Sequence, residues 1–245
     1  MAESKTPVEV VLRIPGTWAH PRELVERLPA GCRLTPESLL LPDGMAVEFN
    51  PLPPDEQFAE IFRSSCRQPA TGEELAKVAG YTVNVGLSGP GGSLDAAHKM
   101  MQAGAAIVRA GGAGVFIDNC ALAHGGEQWL AMTQDASPDA VSFAFVAIVR
   151  GQTEVWTMGM HVLGLCDVVM QRTDVEEGGF DIVEVIRYLA RGDKPVSDGH
   201  VLADLDGPRF QVLATESHPR TAGTPMYNPF GRWKLVSIED MTKQN

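Results

Sequence analysis

Hydrophobic positions along this chain change period repeatedly, from strand-like runs to helical spacing and back. Val8 to Ile14 is rich in valine and stops at Pro15-Gly16, which predicts a first strand. Pro21 suits a first helical turn after His20, and Leu24, Val25 and Leu28 recur at helical spacing until Pro29 stops them. Leu39-Leu40-Leu41 and Met45 to Phe49 flank Pro42-Asp43-Gly44, a turn sequence that predicts a hairpin, and Pro51, Pro53 and Pro54 end it. Phe58, Ile61 and Phe62 fall on one helical face. A weaker helical piece runs from Thr71 to Val78, with Thr71 as cap and Glu74 at the capping-box position. Residues 1–78 therefore read as β-α-β-β-α with a short helical connector.

The pattern restarts with a strand at Tyr81 to Val85, which leads through a glycine-rich loop into the best helix of the chain. Ser93 is its predicted N-cap. Leu94, Ala97, Met101, Ala105 and Val108 form its core stripe, and Gly111-Gly112 ends it. Val115 to Ile117 reads as a short buried strand, so the strand-helix-strand unit belongs to one sheet with a right-handed connection. A helical stretch covers Glu127 to Met132. Val141 to Val149 and Thr153 to Met158 then flank Gly151-Gln152 as a hairpin. Asp181 caps a helix with Glu184 three residues on, and Val183, Ile186, Leu189 and Ala190 make its buried side up to Gly192. Phe210 to Leu213 and Trp233 to Ile238 are the last strands. This order predicts an α+β fold: mixed or antiparallel sheets, helices packed on one face, and two ferredoxin-like halves, 1–78 and 79–245, packed into one unit.

Composition narrows the class of protein. The 245 residues are 44% hydrophobic and 21% charged, which excludes a disordered chain, and the length supports a core without disulfide or metal staples. Twenty Lys and Arg against 31 Asp and Glu give a net charge of -11, which disfavours nucleic acid and anionic membrane surfaces as partners. The first residues lack a basic start followed by an apolar stretch, and apolar runs such as Phe143 to Val149 fall far short of a membrane span. Cys32, Cys66, Cys120 and Cys166 are scattered without a CxxC pair, as suits reduced thiols, so the expected compartment is the cytoplasm.

One stretch resembles a known family. Thr157-Met158-Gly159-Met160-His161, then Gly164-Leu165-Cys166-Asp167, then an amphipathic helix ending before Val196-Ser197-Asp198-Gly199-His200, is similar to the family catalogued as domain of unknown function 4261. The resemblance covers residues 153–213 and implies a bacterial, cytosolic, α+β protein; it implies no activity and no catalytic residues. A Pro- and Gly-rich tail, Pro219 to Gly231, follows.

Candidate chemistry is confined to a few places. The loop with Gly89, Gly91, Gly92 and Ser93 leads from a strand into a helix N-terminus, where backbone N–H groups can hold an anion. It lacks the lysine of a Walker motif and a clean GxGxxG, so a tight structural turn is the plainer reading. Asp118, Asn119 and His124 follow the strand Val115 to Ile117, as a general-base pair would, though Asp and Asn also close turns. His161, Cys166 and Asp167 form a second polar group. Cys120, His124, His161 and Cys166 together match the ligand types of a zinc site but not its usual spacing, and Cys120 or Cys166 beside a histidine is a candidate nucleophile. His98 beside Met100 and Met101 reads as core, and Asp174 to Glu177 as a solvated loop. No GxSxG elbow, HExxH helix or paired catalytic carboxylates appear, and no cofactor is expected. Two functions follow as expectations. One is a non-catalytic binding or regulatory protein, immunity-like, that takes a small ligand or a partner with a basic surface or forms a homo-oligomer. The other is a hydrolase with a pocket of Asp118, Asn119, His124, His161 and Asp167.

Overall fold

The computed structural model describes residues 7–176, 181–203 and 208–238. These form an α+β fold built on two sheets. The first contains β1 (Glu9–Gly16), β2 (Arg33–Leu34), β3 (Ser38–Leu40), β4 (Ala46–Leu52), β5 (Val83–Pro90), β6 (Gly114–Ile117) and β7 (Leu122–Gly125) in the order β2-β3-β4-β5-β1-β6-β7, antiparallel throughout. β1 and β4 both run against β5, and β5 and β6 both run against β1. Helix α1 (Pro21–Arg27) leaves β1, and α4 (Leu94–Arg109) joins β5 to β6. The result is a pair of interleaved split βαβ units, the ferredoxin-like arrangement.

This arrangement corrects the division of the chain at residues 78 and 79. β5 pairs with β1 over eight residues, from Glu9↔Pro90 to Gly16↔Val83, so the expected boundary passes through the middle of one sheet. The cause is long-range pairing, which local sequence patterns do not reveal. It also corrects the placement of helices on a single face. Val10, Leu12, Ile14, Val115 and Ile117 face the main core with α1 and α4, while Phe116 and Ala123 face the other way and are covered by α2 (Phe58–Ser65) and α3 (Gly72–Ala79). On that second face the Phe58 ring meets Tyr81 and Phe116 at 5.5 and 5.8 Å between centroids.

The second sheet is not ferredoxin-like. β8 (Ala147–Arg150), β9 (Glu154–Met158) and β10 (Asp167–Gln171) form one meander, and β11 (Val201–Ala203), β12 (Arg209–Thr215) and β13 (Arg232–Ser237) form another. The two meanders join through the parallel pair β10 and β13, with α7 (Arg172–Glu176) and α8 (Ile182–Arg191) in the connection. Between the sheets run α5 (Gly126–Asp135) and α6 (Pro138–Phe145). α6 replaces the strand predicted from Val141: Ser137 accepts the Ala140 N–H and Pro138 occupies the first turn, so a capped helix start precedes a mostly apolar run. The β8–β9 hairpin survives as a shorter unit, closed by Gly151 N–H to Glu154 O at 2.8 Å.

A single core joins both sheets. It includes Leu12 and Leu87 of the first, Met170 and Leu235 of the second, and the α4 stripe between them. α4 buries more than the predicted stripe because it is covered on several sides: Met100, Ala103, Gly104 and Ile107 are also inside. At Gly104 an added Cβ would lie 2.9 Å from Trp129 Nε1, so the glycine admits the indole, whose N–H donates to Met101 O. No helix among the described residues is long and apolar enough to cross a membrane.

Caps read from sequence take their expected geometry. Ser93 accepts the Ala96 N–H, and Asp181 that of Val183. The Thr71 hydroxyl accepts the Glu74 N–H while the Glu74 carboxylate accepts the Thr71 N–H, completing the box. Glu74 also accepts the Glu127 N–H at 2.9 Å and so serves the start of α5 as well. Thr71→Ala is expected to cost about 1 kcal/mol and Glu74→Ala about 2 kcal/mol, because the latter leaves the Thr71 and Glu127 N–H groups without their acceptor. Urea unfolding of the two variants checks the ranking; equal costs would mean that the contact with α5 contributes nothing.

Candidate functional site

Asp118 and Asn119 lie at one end of the first sheet, where β6 turns into β7, and Asn119 meets His161 there. Asp118 follows β6, donates its N–H to Val11 O, and receives Arg13 through Nε at 2.8 Å and Nη2 at 2.8 Å in a bidentate pair. Asn119 is fully buried. Its Oδ1 accepts the Val11 N–H at 2.9 Å, and its Nδ2 donates to Glu9 O at 2.8 Å and to Pro225 O at 3.0 Å. β6 pairs with β1 only at Leu12 and Arg13, so the Asn119 amide continues the ladder where the strand has ended.

His161 sits in a 3-10 turn, Met160–Leu163, with 2% of its surface exposed. Its Nε2 lies 2.9 Å from Pro225 O and 3.3 Å from Asn119 Nδ2. Both hydrogens of the Asn119 amide already point to carbonyls, so His161 Nε2 carries the proton and donates to Pro225 O. Nδ1 is then an unprotonated nitrogen with no partner among the described residues, and burial pushes the imidazole pKa down to about 4. This histidine is neutral at pH 7.

Asp167 opens β10. Its Oδ1 accepts the Thr157 hydroxyl at 3.2 Å and the Met160 N–H at 3.3 Å, and its Oδ2 accepts Asn228 Nδ2 at 2.9 Å. Burial raises its pKa to about 6 against the lowering effect of those hydrogen bonds. Asn228 also donates to Leu165 O, the Asp167 N–H bonds to Gly231 O, and Cys166 Sγ donates to Phe230 O. Ser217 Oγ closes onto Asn228 O. Asn119, His161 and Asp167 therefore act together, clasping residues 217–231 across the junction of the two sheets.

The five residues of the hydrolase reading do not converge on one open pocket. His124 lies within β7, fully buried, with Nε2 at 2.9 Å from Ala144 O and Nδ1 at 3.2 Å from Gln128 Oε1. Its pKa is lowered by burial. Cys120 is buried and its thiol is pushed up to about 12, which removes the thiolate a nucleophile requires. Among the described residues no three His, Cys, Asp or Glu side chains gather as metal ligands, so Cys120, His124, His161 and Cys166 do not form a zinc set.

The glycine-rich loop is also occupied by protein. Gly91 N–H bonds to Val8 O, Gly92 N–H bonds to Val162 O, and Ser93 is engaged as a cap. An added Cβ at Gly89 would lie 2.5 Å from Met100 Sδ, so this glycine permits close packing of α4 on β5. His98 contacts Thr133 O through Nε2 at 3.2 Å. Of Asp174 to Glu177, the last residue lies outside the described residues, and Asp174 belongs to α7.

Three contributors went unseen in the sequence. Pro225 acts through its carbonyl, Asn228 sits in an irregular segment, and Arg67 holds Phe143 O and Val146 O from Nη1 while its guanidinium lies 4.2 Å from the Phe143 ring centroid. Asn228 beside Pro229 is a turn signal, the one local hint in the sequence. No protein-family model, no curated protein and no solved structure matches the chain.

Proposed function

We propose that this chain is a non-catalytic interaction protein of the cytoplasm, regulatory or immunity-like, that works by binding a small ligand or a protein with a basic surface. The observation that carries the reading is the clasp: the side chains best suited to acid-base chemistry are engaged in holding residues 217–231. A general base must reach a substrate proton, and the unprotonated nitrogen of His161, Nδ1, is buried while Nε2 donates to Pro225 O. The excess of 31 acidic over 20 basic residues favours basic partners through long-range attraction. The hydrolase reading has no comparable support.

Turnover tests the reading. Purified protein incubated with ester, amide and phosphate-ester substrates is expected to give no hydrolysis that depends on its side chains. Hydrolysis that vanishes in His161→Gln or Asp167→Asn while the variant stays folded would overturn the proposal.

A further inference from the structure

The segment that the clasp holds down also walls a cleft of about 230 Å³ against β9 and β13. Its lining includes Trp156, Asp167, His218, Arg220 and Arg232. On a chain with a net charge of -11, this cleft holds more cations than carboxylates. Arg220 lies on the exposed outer part of the segment, and among the described residues only its backbone N–H has a partner, His218 Nδ1 at 3.2 Å. Arg232 engages Nε with Glu216 O at 2.8 Å, and among the described residues its two terminal nitrogens have no hydrogen-bond partner. His218 accepts at Nδ1, so its remaining nitrogen, Nε2, is a donor. The one carboxylate, Asp167, has both oxygens covered by Thr157, Met160 and Asn228.

We infer that this cleft binds a small monocarboxylate with a flat apolar body, the carboxylate held by Arg220 and Arg232 and the body resting on Trp156. A guanidinium presents a planar fork of donors that matches a carboxylate in two parallel hydrogen bonds. Two guanidiniums against the Asp167 carboxylate leave one positive charge, which a monoanion balances and a dianionic phosphate ester overshoots. The volume lies below the roughly 300–1,000 Å³ of pockets for drug-sized ligands, so the occupant is of metabolite size. Met158 and Met226 complete the apolar wall beside Trp156. This ligand rests on the small-molecule branch of the proposed function and gives it a place and a chemistry.

The test uses the full chain labelled with ¹⁵N and three probes: benzoate, its neutral analogue benzamide, and phenyl phosphate. The chain has four tryptophans, so the Trp156 indole signal is assigned by its loss in Trp156→Phe. Benzoate is expected to shift that signal, and benzamide at the same concentration is not. Benzoate affinity is expected to fall about tenfold in at least one of Arg220→Gln and Arg232→Gln, as for a lost charge-assisted bond. The exposed position of Arg220 keeps the first variant folded. An unmoved Trp156 signal, equal shifts from benzamide, unchanged affinity in both variants, or tighter binding of phenyl phosphate than benzoate would each overturn the assignment. Any of these leaves the broader reading standing, because that reading falls only on side-chain-dependent turnover.

Discussion

Asn119→Ala is expected to lower the unfolding free energy by about 3 kcal/mol, the largest loss from any single polar truncation at the junction. The side chain is fully buried and makes hydrogen bonds to Val11 N–H, Glu9 O and Pro225 O. Removing it leaves a strand donor and a strand acceptor of β1 without this partner, each at about 1–3 kcal/mol if water does not enter. It also withdraws one of the two donors on Pro225 O, so residues 217–231 should become more open to trypsin at Arg220. Asn119→Asp sharpens the test. Its shape is unchanged, but a carboxylate oxygen would face the Glu9 and Pro225 carbonyls. The loss at pH 7 should be at least as large as for alanine, and it should shrink on acidification as the new carboxyl takes a proton. Urea unfolding with an unchanged m-value is the measurement. A cost below about 1 kcal/mol for the alanine variant would mean that β1 does not depend on this amide.

The same residue shows how far the sequence reaches. Asn119, His161 and Asp167 are visible in it as unusual polar residues among apolar runs, and the structure does gather them around one segment. Their role is hidden because the partners are mainly backbone groups, the carbonyls of Glu9 and Pro225 and the N–H groups of Val11 and Met160, which carry no side-chain signature. Elements with a local signal are legible: the stripe and Ser93 cap of α4, the Thr71 and Glu74 box of α3, the Pro42-Asp43-Gly44 hairpin. α6 is not, because Val141, Ala144 and Phe145 are buried without a polar face to set the period, and such a run resembles a buried strand. β10 has the same difficulty, since Asp167 to Met170 are all buried. The sheet shared between the two expected halves is the least accessible part. It depends on β1 finding β5 and β6 across a large separation in sequence, and only α4, central to the shared core, hints that neither half is complete alone.

His161 and Asp167 should pull stability in opposite directions as the pH falls. His161 titrates at about 4 in the folded chain against roughly 6.5 when unfolded, so below pH 6.5 the unfolded chain binds a proton that the folded one refuses. Its contribution is complete above pH 6.5 and is lost as the pH falls through 4, about 3 kcal/mol in all. Asp167 titrates at about 6 when folded against the ordinary 3.8, so between those values the folded chain keeps a proton that the unfolded one releases. Its contribution is complete below pH 3.8 and is lost as the pH rises through 6, again about 3 kcal/mol. The two nearly cancel between pH 4 and 6, and His124, also shifted down by burial, tips the balance towards acid sensitivity. The wild-type curve alone hides both effects, so differences must be measured. The stability of the wild type minus that of His161→Gln should fall by about 3 kcal/mol from about pH 7 to 4, whereas the difference from Asp167→Asn should rise by a similar amount. In the second variant the new amide faces Asn228 Nδ2, donor against donor, which adds an offset at every pH but no slope. A pH-independent difference in either series would show that the group keeps its ordinary titration in the folded chain, and therefore that the junction is wetter than its burial implies.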